Sequence, residues 1–130
     1  MNIAILANDK KKELITEFCT AYCGILSRHH LCATATTAKY ITEATGLEIE
    51  KLLAGFHGGD NQLATKIAYG EVDLLLLLCD TSDDHEYLNT LVPLIHACDV
   101  YNVPAATNIA TAEALILALD RGDLDWRELL

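Results

Sequence analysis

Short, uniformly apolar runs alternate along the chain with longer segments in which apolar residues recur every three or four positions. Residues 2–7 form a run of the first kind and predict a strand. Leu14, Ile15, Phe18, Tyr22 and Ile25 share one helical face and predict a helix over 10–27. The alternation continues with a short strand over 31–33, a threonine-rich loop, and a helix from about 38 to 44 closed by Gly46. A strand over 49–53, a glycine-rich stretch and a helix from 60 or 61 to 69 follow. Residues 74–79, LLLLLC, are too evenly apolar for a half-exposed strand and predict the centre of a sheet covered on both faces. A helix near 87–101, a short strand near 104–106, a helix over 109–119 and an acidic tail complete the order. Strand and helix thus alternate throughout. This predicts a single α/β domain over 1–130: three α/β/α layers around a mostly parallel five-stranded sheet.

Composition narrows the partners. Nine basic against nineteen acidic residues give a net charge of −10, which opposes binding to nucleic acid or an anionic membrane. The opening strand resembles no leader, and no apolar run is long enough to span a bilayer, so a soluble cytoplasmic protein is expected. Five cysteines without framework spacing predict reduced thiols, and no metal site is expected among them.

In parallel α/β folds ligands bind beyond the carboxyl ends of the strands, and the unusual residues collect there. Asn8 and Asp9 follow the first strand, Thr34 to Thr37 the second, three of the seven glycines and Asp60 the third, and Asp80 the fourth. Three hydroxyls at a helix start suit a phosphate, with Lys12 as the cation. A helix cap joined to β-branched strand residues accounts for the threonines equally well. Asp60 and Asp80 form a pair of carboxylates suited to proton transfer; a helix cap could explain either, although Asp80, directly after a buried strand, needs partners or a task.

Several ordered motifs resemble the methylglyoxal synthase family. Residues 7–12 (ANDKKK) are similar to the family's A-H-D-x-x-K, 33–38 (ATATTA) to A-T-G-T-T-G, and 54–62 (AGFHGGDNQ) to S-G-P-x-G-G-D-Q-Q. Asp80-Thr81 resembles its Asp-Pro, and residues 102–108 (NVPAATN) resemble N-I-P-V-A-T-N. The resemblance implies a homohexamer that eliminates phosphate from dihydroxyacetone phosphate without metal or organic cofactor, giving methylglyoxal. Asp60 would be the base, taking a proton from the phosphate-bearing carbon, and Asp80 would orient the site. Asn8, Lys12, Thr34, Ala35, Thr36, Thr37, Ala54 and Gly55 would line the substrate and its phosphate, and inorganic phosphate is an expected ligand. Departures occur at Asn8, Ala35 and Ala54, where the family carries histidine, glycine and serine. The family's catalytic histidine corresponds to Tyr87 without a gap, or to His85 if the loop is shortened. These departures leave two alternatives open: a non-catalytic phosphate-binding module, or a purely structural oligomer subunit.

Overall fold

The computed structural model describes residues 1–52, 59–79 and 85–130, apart from the side chains of residues 59, 60 and 85–90. Strands β1 (Asn2–Ala7), β2 (His30–Thr34), β3 (Ile49–Leu52), β4 (Leu74–Leu78) and β5 (Ala105–Ala106) form one sheet in the order β3-β2-β1-β4-β5, all pairings parallel. Among the described residues six α-helices accompany them: α1 (Lys12–Ala21), α2 (Cys23–Leu26), α3 (Ala35–Thr45), α4 (Gly59–Ala68), α5 (His85–Tyr101) and α6 (Ile109–Asp120).

The leucines of β4 divide the core. Leu74, Leu76 and Leu78 pack with Ile15 and Phe18 of α1, Ile41 of α3 and Ile116 of α6. Leu75 and Leu77 point the other way, onto Leu63 and Ile67 of α4 and Leu94 of α5. Period-two alternation therefore sends both sets into apolar layers, and the strand has no solvent face. Among the described helices none is long and apolar enough to cross a membrane. All five cysteines are free thiols.

Three elements differ from the sequence expectation. The helix expected over 10–27 is divided: Asp9–Lys11 form a 3₁₀ turn, and the backbone leaves helical geometry at Tyr22 (φ −107°, ψ 22°) before the low-propensity Cys-Gly pair. This break lets α2 bury Leu26 completely. The loop expected at Thr34 to Thr37 does not exist; β2 ends at Thr34 and α3 starts at Ala35, a direct strand-to-helix junction. The acidic tail is docked. Asp125–Leu129 form a 3₁₀ turn that buries Arg127, whose Nε donates to Asp73 Oδ1 (3.2 Å) and whose Nη1 donates to the Asn102 carbonyl (2.5 Å). Asp73 Oδ2 also accepts the Asn2 backbone N–H at 2.9 Å, so one carboxylate ties the tail to the start of β1.

Arg127→Ala should destabilise the fold by about 2–3 kcal/mol, because it strands a largely buried carboxylate and a carbonyl together. Arg127→Lys should recover little, since one ammonium lacks the planar fork that serves both acceptors. Denaturant midpoints at constant m-value measure this; a loss under about 0.5 kcal/mol for Arg127→Ala would remove the clamp from the account.

Candidate functional site

The strand order turns at β1 and β4: the chain works outward from β1 through β2 to β3, then returns to the other side of β1. At such a switch point the connections diverge and leave a crevice beyond the carboxyl ends of the strands. Asn8 stands there. Its N–H donates to the Leu78 carbonyl at the end of β4 (3.2 Å), and its carbonyl accepts from the Lys11 N–H (3.0 Å). The residue is 6% exposed, and its side-chain Oδ1 is buried without a hydrogen-bond partner.

The start of α3 adjoins it. Thr34 Oγ1 donates to Thr37 Oγ1 (3.2 Å), and Thr37 Oγ1 donates to the carbonyl of Ala7 (3.4 Å), the residue before Asn8. Thr34 and Thr37 are buried, so both hydroxyl protons are used inside the protein. Thr34 occupies the cap position, yet its side chain accepts no N–H from the first turn. A helix leaves its first N–H groups without intrahelical partners, and its dipole places partial positive charge at that end. The eleven-residue α3 therefore presents N–H groups, with the exposed Thr36 hydroxyl beside them. Such an end suits a phosphate.

Lys12 is held one turn away. Its Nζ donates to the Tyr40 hydroxyl (3.1 Å), pairs with Asp9 Oδ1 (3.0 Å) and lies 4.2 Å from the Tyr40 ring centre. The hydrogen bond with Asp9 is the main reason that its pKa is raised, so it remains an ammonium ion. Tyr40 is four residues beyond Thr36, hence about 6 Å along the same face of α3. The sequence reading missed Tyr40 and Asp9 as partners of this lysine; the four-residue spacing from Thr36 was the available signal. Asp9, Lys12, Glu13, Thr16, Glu17 and Tyr40 line a groove of about 490 Å³, whose three carboxylates make it unsuited to a phosphate. Asp9 is 88% exposed, so its pair with Lys12 is weak enough to be exchanged for a bound anion. At the end of β4, burial pushes the Cys79 thiol up to about 12, which leaves it protonated and a poor nucleophile.

Of the other residues singled out in the sequence, Ala54, Gly55 and Asp80 lie outside the described residues. So do the side chains of Asp60, His85 and Tyr87, whose backbones stand in the first turns of α4 and α5. Ala35 is the first residue of α3. A larger cavity of about 560 Å³, lined by His29, His30, Glu48 and Glu50 among others, is at the opposite, amino-terminal edge of β2 and β3 and is separate from this crevice.

Together these features define a doubly wound α/β domain with, at its switch point, an uncapped helix start of the kind that suits an anion. The family model for the MGS-like domain matches residues 15–107. A methylglyoxal synthase from Caldicellulosiruptor saccharolyticus is 54% identical over 132 aligned positions, covering 100% of this chain and 92% of that protein. One from Clostridioides difficile is 48% identical, covering 98% and 93%. The crystal structure of methylglyoxal synthase from Elizabethkingia anophelis superposes with a TM-score of 0.78 at 32% identity, covering 88% of this chain and 76% of that one. This chain belongs to the methylglyoxal synthase family.

Thr36→Ala and Lys12→Ala should each weaken inorganic phosphate binding about tenfold, since each removes a donor to the anion. Thr34→Ser, which keeps the internal hydroxyl, should change it less than twofold. Calorimetric titration separates these outcomes; unchanged affinity in both alanine variants would move the anion site elsewhere.

Proposed function

We propose that this protein is a methylglyoxal synthase, a lyase that converts dihydroxyacetone phosphate to methylglyoxal and inorganic phosphate. The observation that carries this reading is the 54% identity to a methylglyoxal synthase along the whole chain. The uncapped start of α3 supports it from the side of the geometry. In the proposed arrangement Thr36 and the first N–H groups of α3 hold the phosphate together with Gly55, and Lys12 swings from Asp9 to join them. Asp60 is the base and Asp80 orients the site.

The chemistry corrects one expectation drawn from the resemblance. A proton taken from the phosphate-bearing carbon would leave phosphate on the new double bond, with no electron pair placed to expel it. The proton must come from the hydroxymethyl carbon. Asp60 takes it, and the C–H pair forms an enediolate. The terminal oxygen of the enediolate then gives up its proton to the central oxygen and forms the aldehyde C=O, the carbon–carbon double bond shifts to the phosphate-bearing carbon, and the C–O bond breaks so that phosphate leaves with its electron pair. The resulting enol takes up a proton at its terminal carbon and loses the one on its oxygen, a tautomerisation that gives methylglyoxal. A positioned carboxylate and preorganised donors suffice for these steps.

Asn8 and the in-register Tyr87, which replace histidines of the family pattern, favour a second reading in which the protein binds phosphorylated ligands without turnover. Incubation with dihydroxyacetone phosphate decides between the two: the lyase releases methylglyoxal and phosphate in equal amounts, and the binding module releases neither. We also place the protein in the cytoplasm as a homohexamer. Support for self-association comes from α5, where the exposed Val92 and Val100 lie two helical turns apart on one face. Light scattering that returned a monomer mass at micromolar concentration would oppose it.

Asp60→Asn should lower turnover by a factor of about 10² to 10⁴ while leaving phosphate affinity intact, because the amide keeps the shape and loses the base. Steady-state rates that fall less than threefold would exclude Asp60 as the base. A donor to the carbonyl oxygen is worth roughly 3–4 kcal/mol, so His85→Ala should cost about a hundredfold or more with Tyr87→Phe near neutral. The reverse pattern would assign that role to the tyrosine hydroxyl.

A further inference from the structure

Lys12 is the first residue of α1, and its ammonium is held from α3. Nζ donates to the Tyr40 hydroxyl at 3.1 Å and lies 4.2 Å from the centre of the ring, so one side chain supplies both an acceptor and a π face. The same nitrogen pairs with Asp9 Oδ1 at 3.0 Å. Both hydrogen bonds, that of Asp9 foremost, raise the Lys12 pKa and keep the group charged. An ammonium has three donors, and its two partners here respond differently when an anion arrives. Asp9 is a well-exposed carboxylate that competes with phosphate for the same positive charge. A phenol hydroxyl is neutral near physiological pH, so its contact with the ammonium can persist beside an anion.

The position of Tyr40 suits such a contact. The Cα–Cβ bonds of a helix tilt toward its N-terminus, so a long side chain covers the turn before its own Cα. Tyr40 is four residues beyond Thr36, and its ring is thereby carried toward the uncapped start of α3. The Lys12 side chain is only 22% exposed, although a lysine without partners samples many rotamers, and a ligand that had to order it would lose affinity for that reason. We propose that Tyr40 is a positioning residue for Lys12, which it holds beside the start of α3 before a ligand arrives, so that phosphate replaces Asp9 on an ammonium already in place. This rests on the phosphate-binding reading and adds the residue that pre-orders its cation. Bound phosphate then holds the ammonium itself, so the tyrosine contributes to binding and little to turnover.

The test is a double-mutant cycle read by calorimetric titration with inorganic phosphate. Tyr40→Phe, which keeps the ring and loses the acceptor, should weaken binding about threefold, and Tyr40→Leu, which also loses the π face, about five- to tenfold. In a Lys12→Ala background the same substitutions should each change affinity less than about 1.5-fold, because the group they act through is gone. Equal losses in both backgrounds overturn the assignment, since Tyr40 would then act on α3 and not on Lys12. Tighter binding in Tyr40→Phe overturns it as well, because the tyrosine would be competing for the ammonium. Tyr40 is outside the core, and the phenylalanine variant fills the same space, so the cycle does not depend on the leucine variant folding. Steady-state rates give a second readout: KM for dihydroxyacetone phosphate should rise in step with the phosphate Kd while kcat stays within about twofold. A fall in kcat at unchanged KM overturns the positioning role. If the unmutated protein binds no phosphate, or Lys12→Ala binds it equally well, the phosphate reading falls together with this one; if Lys12→Ala weakens binding and the Tyr40 variants do not, this assignment falls alone.

Discussion

Five consecutive leucines in β4 are each 2% exposed or less, and a strand so apolar is stable only with helices over both its faces. That requirement propagates. Parallel neighbours need crossover connections, and helices must be distributed to both sides, with α1, α3 and α6 over one face and α4 and α5 over the other. With β1 and β4 adjacent at the centre, the connections leave in opposite directions and a crevice opens beyond their carboxyl ends. The site is a by-product of how the leucines are covered. Burying five leucines, at roughly 1.5–3 kcal/mol each, supplies enough stability to tolerate an unpaired acceptor at the edge of the same strand pair.

Electrostatics then decides how that crevice can hold an anion. A chain of net charge −10 repels a phosphate dianion at long range, so attraction must come from groups in direct contact. The first turn of α3 supplies N–H groups that carry no counter-charge. Lys12 differs, because in this structure its ammonium is already shared between Asp9 and the face of Tyr40. Its contribution to binding is the difference between two sets of partners. The exposure of Asp9 keeps that difference favourable, since a solvated ion pair is cheaply given up.

Most of the architecture was legible because burial on two faces and helical periodicity are written directly in residue type. The strands over 2–7 and 74–78 could be read to within a residue for that reason. The start of α3 could not. Thr36 and Thr37 are β-branched, and their propensity argues against helix, so tertiary packing of Ala38 and Ile41 had to override it. Arg127 was missed because a cation in an acidic tail reads as solvated, and only the fold brings Asp73 and the Asn102 carbonyl to it. The chemistry of the edge was legible as a set of residue types. Its internal assignment was not: Thr34, Thr36 and Thr37 look alike in sequence, and the phase of the strand-to-helix junction alone turns two hydroxyls inward and one outward.

The hydrogen bond from Thr37 to the Ala7 carbonyl gives this junction its functional meaning, because it joins two chemically opposite groups through a rigid link. On one side the start of α3 offers donors. On the other, one residue beyond Ala7, Asn8 offers an acceptor. Both groups stand at the ends of regular elements, where packing holds them in place before a ligand arrives, so little ordering is lost on binding. A histidine at position 8 could offer a donor, an acceptor or a charge, depending on its protonation. The carboxamide of Asn8 carries a fixed acceptor and a fixed donor and does not titrate. The departure from the family pattern therefore replaces a titratable group beside this junction with one whose hydrogen bonding does not change with pH near neutrality.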